Sequence, residues 1–219
     1  MERGYFITGT DTDVGKTWAT IALMRYFKQQ GKTVVGMKPV AAGCTFQDGQ
    51  LKNADALLIQ ENASVNMDYD LINPYAYALP VSPHIAGAHN PVNLAVIAER
   101  FNALKTEAEI VVVEGAGGWY APLNDREDIS DLARALALPI ILVVAIRLGC
   151  INHAKLTYQA IQYSGLPCAG WIAVCVDPAL LYLDENIQTI KAALSAPLLG
   201  VLPYMDSADF DLLAGRLVL

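Results

Sequence analysis

Basic charge, paired cysteines and long apolar runs are all scarce in this sequence. Lys and Arg number 15 against 22 acidic residues, giving a net charge of −7. A nucleic-acid binder carries a basic patch or stripe, and this composition offers none. Any phosphate binding must therefore come from a local site and not from the field of the whole molecule. The four cysteines, Cys44, Cys150, Cys168 and Cys175, form no C-x-x-C, and no Cys/His set has zinc-ligand spacing. That argues for free thiols in a reducing, cytoplasmic setting. His84 and His89 are five residues apart, off one helix face, so a shared metal site is disfavoured. The most apolar run, ALALPIILVVAI at 135–146, contains Pro139 and falls well short of the roughly 18 residues of a membrane span. The opening MERGYFITG lacks the layout of a secretion signal, because Gly9 follows at once on a short strand-like run. No repeat, low-complexity tract or linker is visible, so residues 1–219 are expected to form one domain.

What the chain does have is apolar content: 54% hydrophobic against 17% charged residues. That suits a sheet buried on both faces. Strand-like runs at 5–8, 33–38, 110–114, 139–146, 168–176 and 198–202 alternate with helical spacing at 16–30, 94–104, 129–136, 152–165 and 187–194. Such alternation predicts an α/β fold with a mostly parallel central sheet, helices on both faces and right-handed crossovers. Residues 44–90, rich in Asn, Asp and Pro, are expected to form several short helices, one of them capped by Asn53. The glycines at 115–118 are expected to end the 110–114 strand.

Residues 9–17 read GTDTDVGKT. The usual phosphate loop is G-x-x-x-x-G-K-[ST], with four residues between its glycines. Here residues 10–14 make five. A strand leads in and a helix leads out, so the first helical amides and the helix dipole would face a bound anion. Lys16 can reach the outer phosphates, and the Thr17 hydroxyl can ligate Mg²⁺. Glu114 ends a strand that should share an edge with this loop, where a carboxylate can hold a metal. Asp55 alone reads as ordinary complementation of a helix dipole. Lys38 ends a strand before Pro39 and reads equally as a crevice or a surface lysine. Trp119 and Tyr120 read equally as pocket walls or sheet-edge cover. Trp18 and Trp171 read as packing, and the cysteines as small buried residues.

The motifs GTDTDVGKT (9–17), KPVAAG (38–43), NADAL (53–57), NPY (73–75), SPH (82–84), VEGAGGWYAPL (113–123) and LGCINHA (148–154) together resemble the dethiobiotin synthetase family. The resemblance implies a cytoplasmic, ATP- and Mg²⁺-dependent cyclo-ligase of biotin synthesis. Such an enzyme closes a cyclic urea from 7,8-diaminopelargonate and CO₂ through a carbamate and a mixed carbamic-phosphoric anhydride. It further implies that Asp13, Val14, Gly15, Lys16, Thr17 and Trp18 wrap the phosphates and that Lys16 and Lys38 act in catalysis. Thr17, Asp55 and Glu114 would hold Mg²⁺. Gly115, Ala116 and Gly117 would pass close to nucleotide or substrate, and Pro203, Tyr204 and Met205 would offer contacts to the base. Substrate contacts are implied for Thr12, Lys38, Ala42 and Gly117, and for Cys150, Ile151 and Asn152 at a helix start whose amides suit the substrate carboxylate. The family makes that last contact across a homodimer. His153 beside it reads as a substrate or an interface residue.

Two departures stand out. Family members carry serine where this chain has Ala42, so Thr45 or a water is expected to take its place. They also carry an Asn-Asp pair where this chain has Val174-Cys175, so base selectivity is expected to be loose. Amidotransferases or acetyltransferases sharing this loop would need further catalytic domains. Partition-type switch ATPases would need a lysine early in the loop, where Thr10-Asp11-Thr12 stands.

Overall fold

The computed structural model describes residues 4–219. The reading of the N-terminus as free of a secretion signal falls partly on residues 1–3, outside the described residues. In chain order the elements are β1 (Gly4–Gly9), α1 (Lys16–Gln29), β2 (Val34–Met37), β3 (Val40–Ala41), β4 (Thr45–Gln47), β5 (Gln50–Lys52), α2 (Ala54–Glu61), α3 (Tyr69–Ile72), β6 (Tyr75–Ala76), α4 (Pro83–Ala86), α5 (Leu94–Glu107), β7 (Ile110–Gly118), α6 (Ile129–Leu136), β8 (Ile140–Ile146), α7 (Cys150–Tyr163), β9 (Cys168–Cys175), α8 (Leu183–Ala193), β10 (Leu198–Leu202) and α9 (Phe210–Ala214).

Six strands form one parallel sheet in the order β10-β9-β8-β1-β7-β2. All seven residues of β8 are buried. Successive strand residues point to opposite faces, so helices must cover both. Parallel pairing also brings the carboxyl ends of neighbouring strands to one edge. In register, Ile7 of β1 sits beside Glu114 of β7, and Met37 of β2 beside Val113. Lys38, directly after β2, therefore emerges next to Glu114, and the loop leaving β1 emerges on the other side of it.

The structure departs from the sequence-based expectations where tertiary partners override local pattern. The glycines at 115–118 do not end β7; they stay in it, but the register with β1 slips between Ile7 and Gly9. Gly117, at φ 63, takes a conformation that side chains resist. Residues 45–52 fold as a hairpin, not a helix. Asp48 and Gly49 have φ 50 and 85, the double positive-φ signature of a tight hairpin turn. Helix α7 starts at Cys150 and α8 at Leu183, both earlier than their apolar spacing suggests, and α9 had no expectation. Asn53 does cap α2, accepting from the amides of Asp55 and Ala56. Among the described residues no helix is long and apolar enough to cross a membrane.

All four cysteines are free, and all but the half-buried Cys168 are buried. Burial pushes the thiols of Cys44 and Cys175 up, and that of Cys168 to about 11 from an ordinary value of 9.0. At pH 8 the reactive thiolate of Cys168 is then roughly a hundredfold scarcer than in an unfolded chain. Timed alkylation with iodoacetamide at pH 8, read by mass spectrometry, should label Cys168 far more slowly in the native protein than in urea.

Candidate active site

The loop between β1 and α1 is tethered at both ends. The Thr10 amide bonds the Val143 carbonyl of β8 at 3.0 Å. Val14 is fully buried, and a Cβ at Gly9 would lie 2.5 Å from its Cγ2. Gly15 caps α1 in the left-handed region, φ 87, and a Cβ there would also meet Val174 Cγ1 at 2.7 Å. Glycine is thus required twice over, by conformation and by the neighbouring β9 side chain. The Asp11 carboxylate accepts from the Thr12 amide at 2.8 Å and from the Arg147 guanidinium at 3.1 Å. Lys16 folds back to donate to the Asp11 carbonyl at 2.7 Å. Burial, then the charge of Lys38, lowers its ammonium to about 8. A polyanion in front of the loop would reverse that shift, because opposite charge favours the ionised form.

The centre of the site is a charge cluster. Lys38, 6% exposed, donates to Asp55 Oδ2 at 2.9 Å and to the fully buried Glu114 Oε1. Thr17 donates its hydroxyl to the same Oε1 at 2.9 Å. Burial alone would depress the Lys38 ammonium, but the two carboxylates outweigh it and hold the group above the ordinary lysine range. Burial raises Asp55, and Lys38, Thr17 and Lys16 together more than compensate, leaving that acid below its usual value. Lys38 thus belongs to the crevice and not to the surface.

A cavity of about 740 Å³ opens onto this cluster. Of the residues expected from sequence, Thr12, Asp13, Gly15, Lys16, Thr17, Trp18, Lys38, Ala42, Asp55, Glu114, Ala116 and Gly117 all line it. Val14 does not, since it anchors the loop in the core. Gly115 does not either: a Cβ there would meet Ile129, Ile7 and Phe6, all protein atoms. Cys150, Ile151 and Asn152, at the start of α7, and Pro203, Tyr204 and Met205, after β10, lie outside the lining. So does Thr45, which is exposed and whose hydroxyl accepts from the Gln47 side-chain Nε2 at 2.7 Å; it does not take the place of the serine missing at Ala42. Trp119 is 3% exposed and packs in the core, and Trp18 packs edge-on against Phe210. Sequence reasoning assigned no role to the wall built by Pro80, Val81, Ser82 and Pro83. Its only signal was the SPH triplet, which carries no obvious chemistry.

The residues present fit a magnesium ion. Glu114 Oε2 is buried with no protein partner among the described residues, a costly state that a cation would relieve. Thr17 and Asp55 supply two further oxygens beside it. No group of three or more His, Cys, Asp or Glu forms a closed metal cage among the described residues. Mg²⁺ commonly sits on one or two carboxylates with waters and phosphate oxygens completing its octahedron, so a sparse protein set suits it.

A parallel α/β sheet whose first strand runs through a glycine-lysine-threonine turn into a helix, with a carboxylate on the next strand, defines a P-loop nucleotide-binding protein. A family model described as an AAA domain matches residues 3–210. The chain is 49% identical to the ATP-dependent dethiobiotin synthetase BioD of Nitrosospira multiformis, over 95% of this chain and 92% of that protein. It is 43% identical to an Escherichia coli dethiobiotin synthetase over 100% of this chain and 98% of that one. The chain belongs to the dethiobiotin synthetase family. Among solved structures it resembles the MinC:MinD cell division complex of Aquifex aeolicus, with a TM-score of 0.57 over 95% of this chain and 85% of that one. At 16% identity that likeness concerns the fold alone.

Removing one member of a buried ion cluster leaves its partner unpaired, which costs about 3 kcal/mol or more. Lys38→Met should lower the ligand-free unfolding free energy by about that much in urea melts. The double variant Lys38→Met with Glu114→Gln should recover most of the loss, because the fully buried carboxylate is then gone and the half-exposed Asp55 can be solvated.

Proposed function

We propose that this chain closes the cyclic urea of dethiobiotin from 7,8-diaminopelargonate and CO₂ with ATP, releasing ADP and phosphate. The observation that carries the reading is the convergence of Lys16, Thr17, Lys38, Asp55 and Glu114 on one cavity at the carboxyl edge of the sheet. Family membership supplies the substrate and the reaction class.

CO₂ adds to one amine of the substrate as a carbamate. A carbamate is a poor electrophile, and phosphorylation gives it a leaving group. The second amine then attacks and closes the ring. Phosphoryl transfer asks for positioning and charge neutralisation more than for covalent help. Residues Asp13 to Trp18 wrap the phosphates, the backbone of Val14 included, and Lys16 holds charge on the transferred group. Thr17, Asp55 and Glu114 hold Mg²⁺, which when bound neutralises phosphate oxygens. Lys38, kept cationic beside the same acids, pairs with the carbamate. Thr12, Ala42 and Gly117 border the substrate, and Gly115 and Ala116 give the strand its close approach. Val174-Cys175 places no side-chain amide beside the phosphate loop, so base selectivity is loose and rests on backbone at Pro203, Tyr204 and Met205.

Cys150, Ile151 and Asn152 lie outside the cavity lining of their own chain. In our reading they serve the cavity of a second copy, with the amides of α7 holding the substrate carboxylate across a homodimer. We read residues 1–219 as one domain working in the cytoplasm.

Purified protein with ATP, Mg²⁺, bicarbonate and 7,8-diaminopelargonate should form dethiobiotin, read by mass spectrometry. Lys16→Ala should lose turnover by about a hundredfold or more while keeping its thermal transition. An unchanged rate would remove the phosphate-loop assignment. Lys38→Ala should slow ring closure far more than it weakens a non-hydrolysable ATP analogue in calorimetry; a collapse of nucleotide affinity instead would show that Lys38 is misplaced.

A further inference from the structure

One wall of the cavity is built from two segments joined by backbone bonds. The Tyr77 amide donates to the Ala41 carbonyl at 2.8 Å, and the Gly43 amide to the Leu79 carbonyl at 3.1 Å. The wall residues are Val40, Ala41, Ala42, Pro80, Val81 and Pro83, all without a polar side chain, and Ser82. Among the described residues, Ser82 is thus the single side-chain hydrogen-bonding group on this wall.

Its hydroxyl is held in an unusual way. Ser82 stands at the N-cap of α4, where a serine ordinarily turns its oxygen onto a helix amide. Here it makes no such bond: the Ile85 and Ala86 amides donate to the Ser82 backbone carbonyl at 2.9 and 3.0 Å. The hydroxyl instead lies 3.0 Å from His84 Nδ1, and both residues are half-buried. Whichever tautomer His84 adopts, the hydroxyl keeps capacity to spare. If it donates to Nδ1, its lone pairs remain; if Nδ1–H donates to it, the O–H remains. An amine both donates and accepts, so it can use either state.

We propose that Ser82 is a substrate-binding residue that hydrogen-bonds the nitrogen-bearing end of the diamine, with His84 as its positioning residue. This rests on the synthetase reading above. The chemistry asks for such a group. The cationic loop, with Thr12, and the acid cluster serve the phosphates and the carbamate, while a second amine lying against the facing wall meets a surface that is hydrocarbon except at Ser82. Ala42 offers no hydroxyl on this wall, and Thr45 lies outside it.

The test is steady-state ADP release with 7,8-diaminopelargonate and ATP varied separately. Ser82→Ala should raise KM for the diamine roughly three- to tenfold, the effect of one ordinary hydrogen bond, and leave KM for ATP within about twofold. Ser82→Thr should restore most of the loss. His84→Ala should move the diamine KM in the same direction, and His84→Asn, which keeps a polar atom near the Nδ1 position, should recover part of it. A diamine KM unchanged in Ser82→Ala, or an equal rise in both KM values, overturns the proposal while leaving the synthetase reading intact. Wild-type protein without diamine-dependent turnover ends both. Should Ser82→Ala fail to fold, the Ser82→Thr and His84→Asn pair decides: no movement of the diamine KM between His84→Ala and His84→Asn refutes the positioning role.

Discussion

A lysine ammonium buried between two carboxylates organises everything around it. Charges taken out of water lose several kcal/mol of hydration each, and only close pairing offsets the loss. Lys38 meets that condition through Glu114 and Asp55, and Thr17 adds a hydroxyl to the same Glu114 oxygen. The pairing is reached because three parallel strands end together. Lys38 follows β2, Glu114 lies in β7, and Thr17 opens the helix that follows β1. A sheet with another strand order would leave the lysine or the acid without a partner.

The arrangement also leaves something over. One oxygen of Glu114 has no partner among the described residues, and Lys16 sits folded onto a loop carbonyl with its ammonium depressed. Both groups gain from the arrival of a magnesium-bound triphosphate. The site is thus charged and preorganised at one end and almost wholly apolar along the wall of residues 40–42 and 80–83. Low polarity there strengthens every charge interaction across the cavity, which suits the transfer of a phosphoryl group from a bound nucleotide.

The extra loop residue has a structural account as well. Residues 10–14 span from a bond to β8 at Thr10 to the buried Val14, and Asp11 is held from outside by Arg147. Lys16 uses the Asp11 carbonyl that this longer path presents. At the far end Gly15 packs on Val174, so strand β9 touches the phosphate loop directly.

Much of this was legible in the chain alone. Continuous apolar runs marked the six core strands, since strands buried on both faces have no polar positions to alternate with. The GKT turn declared itself through flanking strand and helix signals, and Asn53 through capping chemistry. The hairpin at 45–52 was not legible, because its strands are exposed and half-exposed and lack a buried alternating face. The glycines after Glu114 read as a strand end because local propensity cannot see the β1 neighbour that keeps them paired with a slipped register. Lys38 was undecided, since a strand-end lysine looks the same in sequence whether water or two acids await it. Spacing along the chain determined the elements and the phosphate-binding turn. Strand order and burial, which depend on residues far apart in sequence, decided which charges meet, that Gly115 faces the core, and that Ser82 stands alone on an apolar wall.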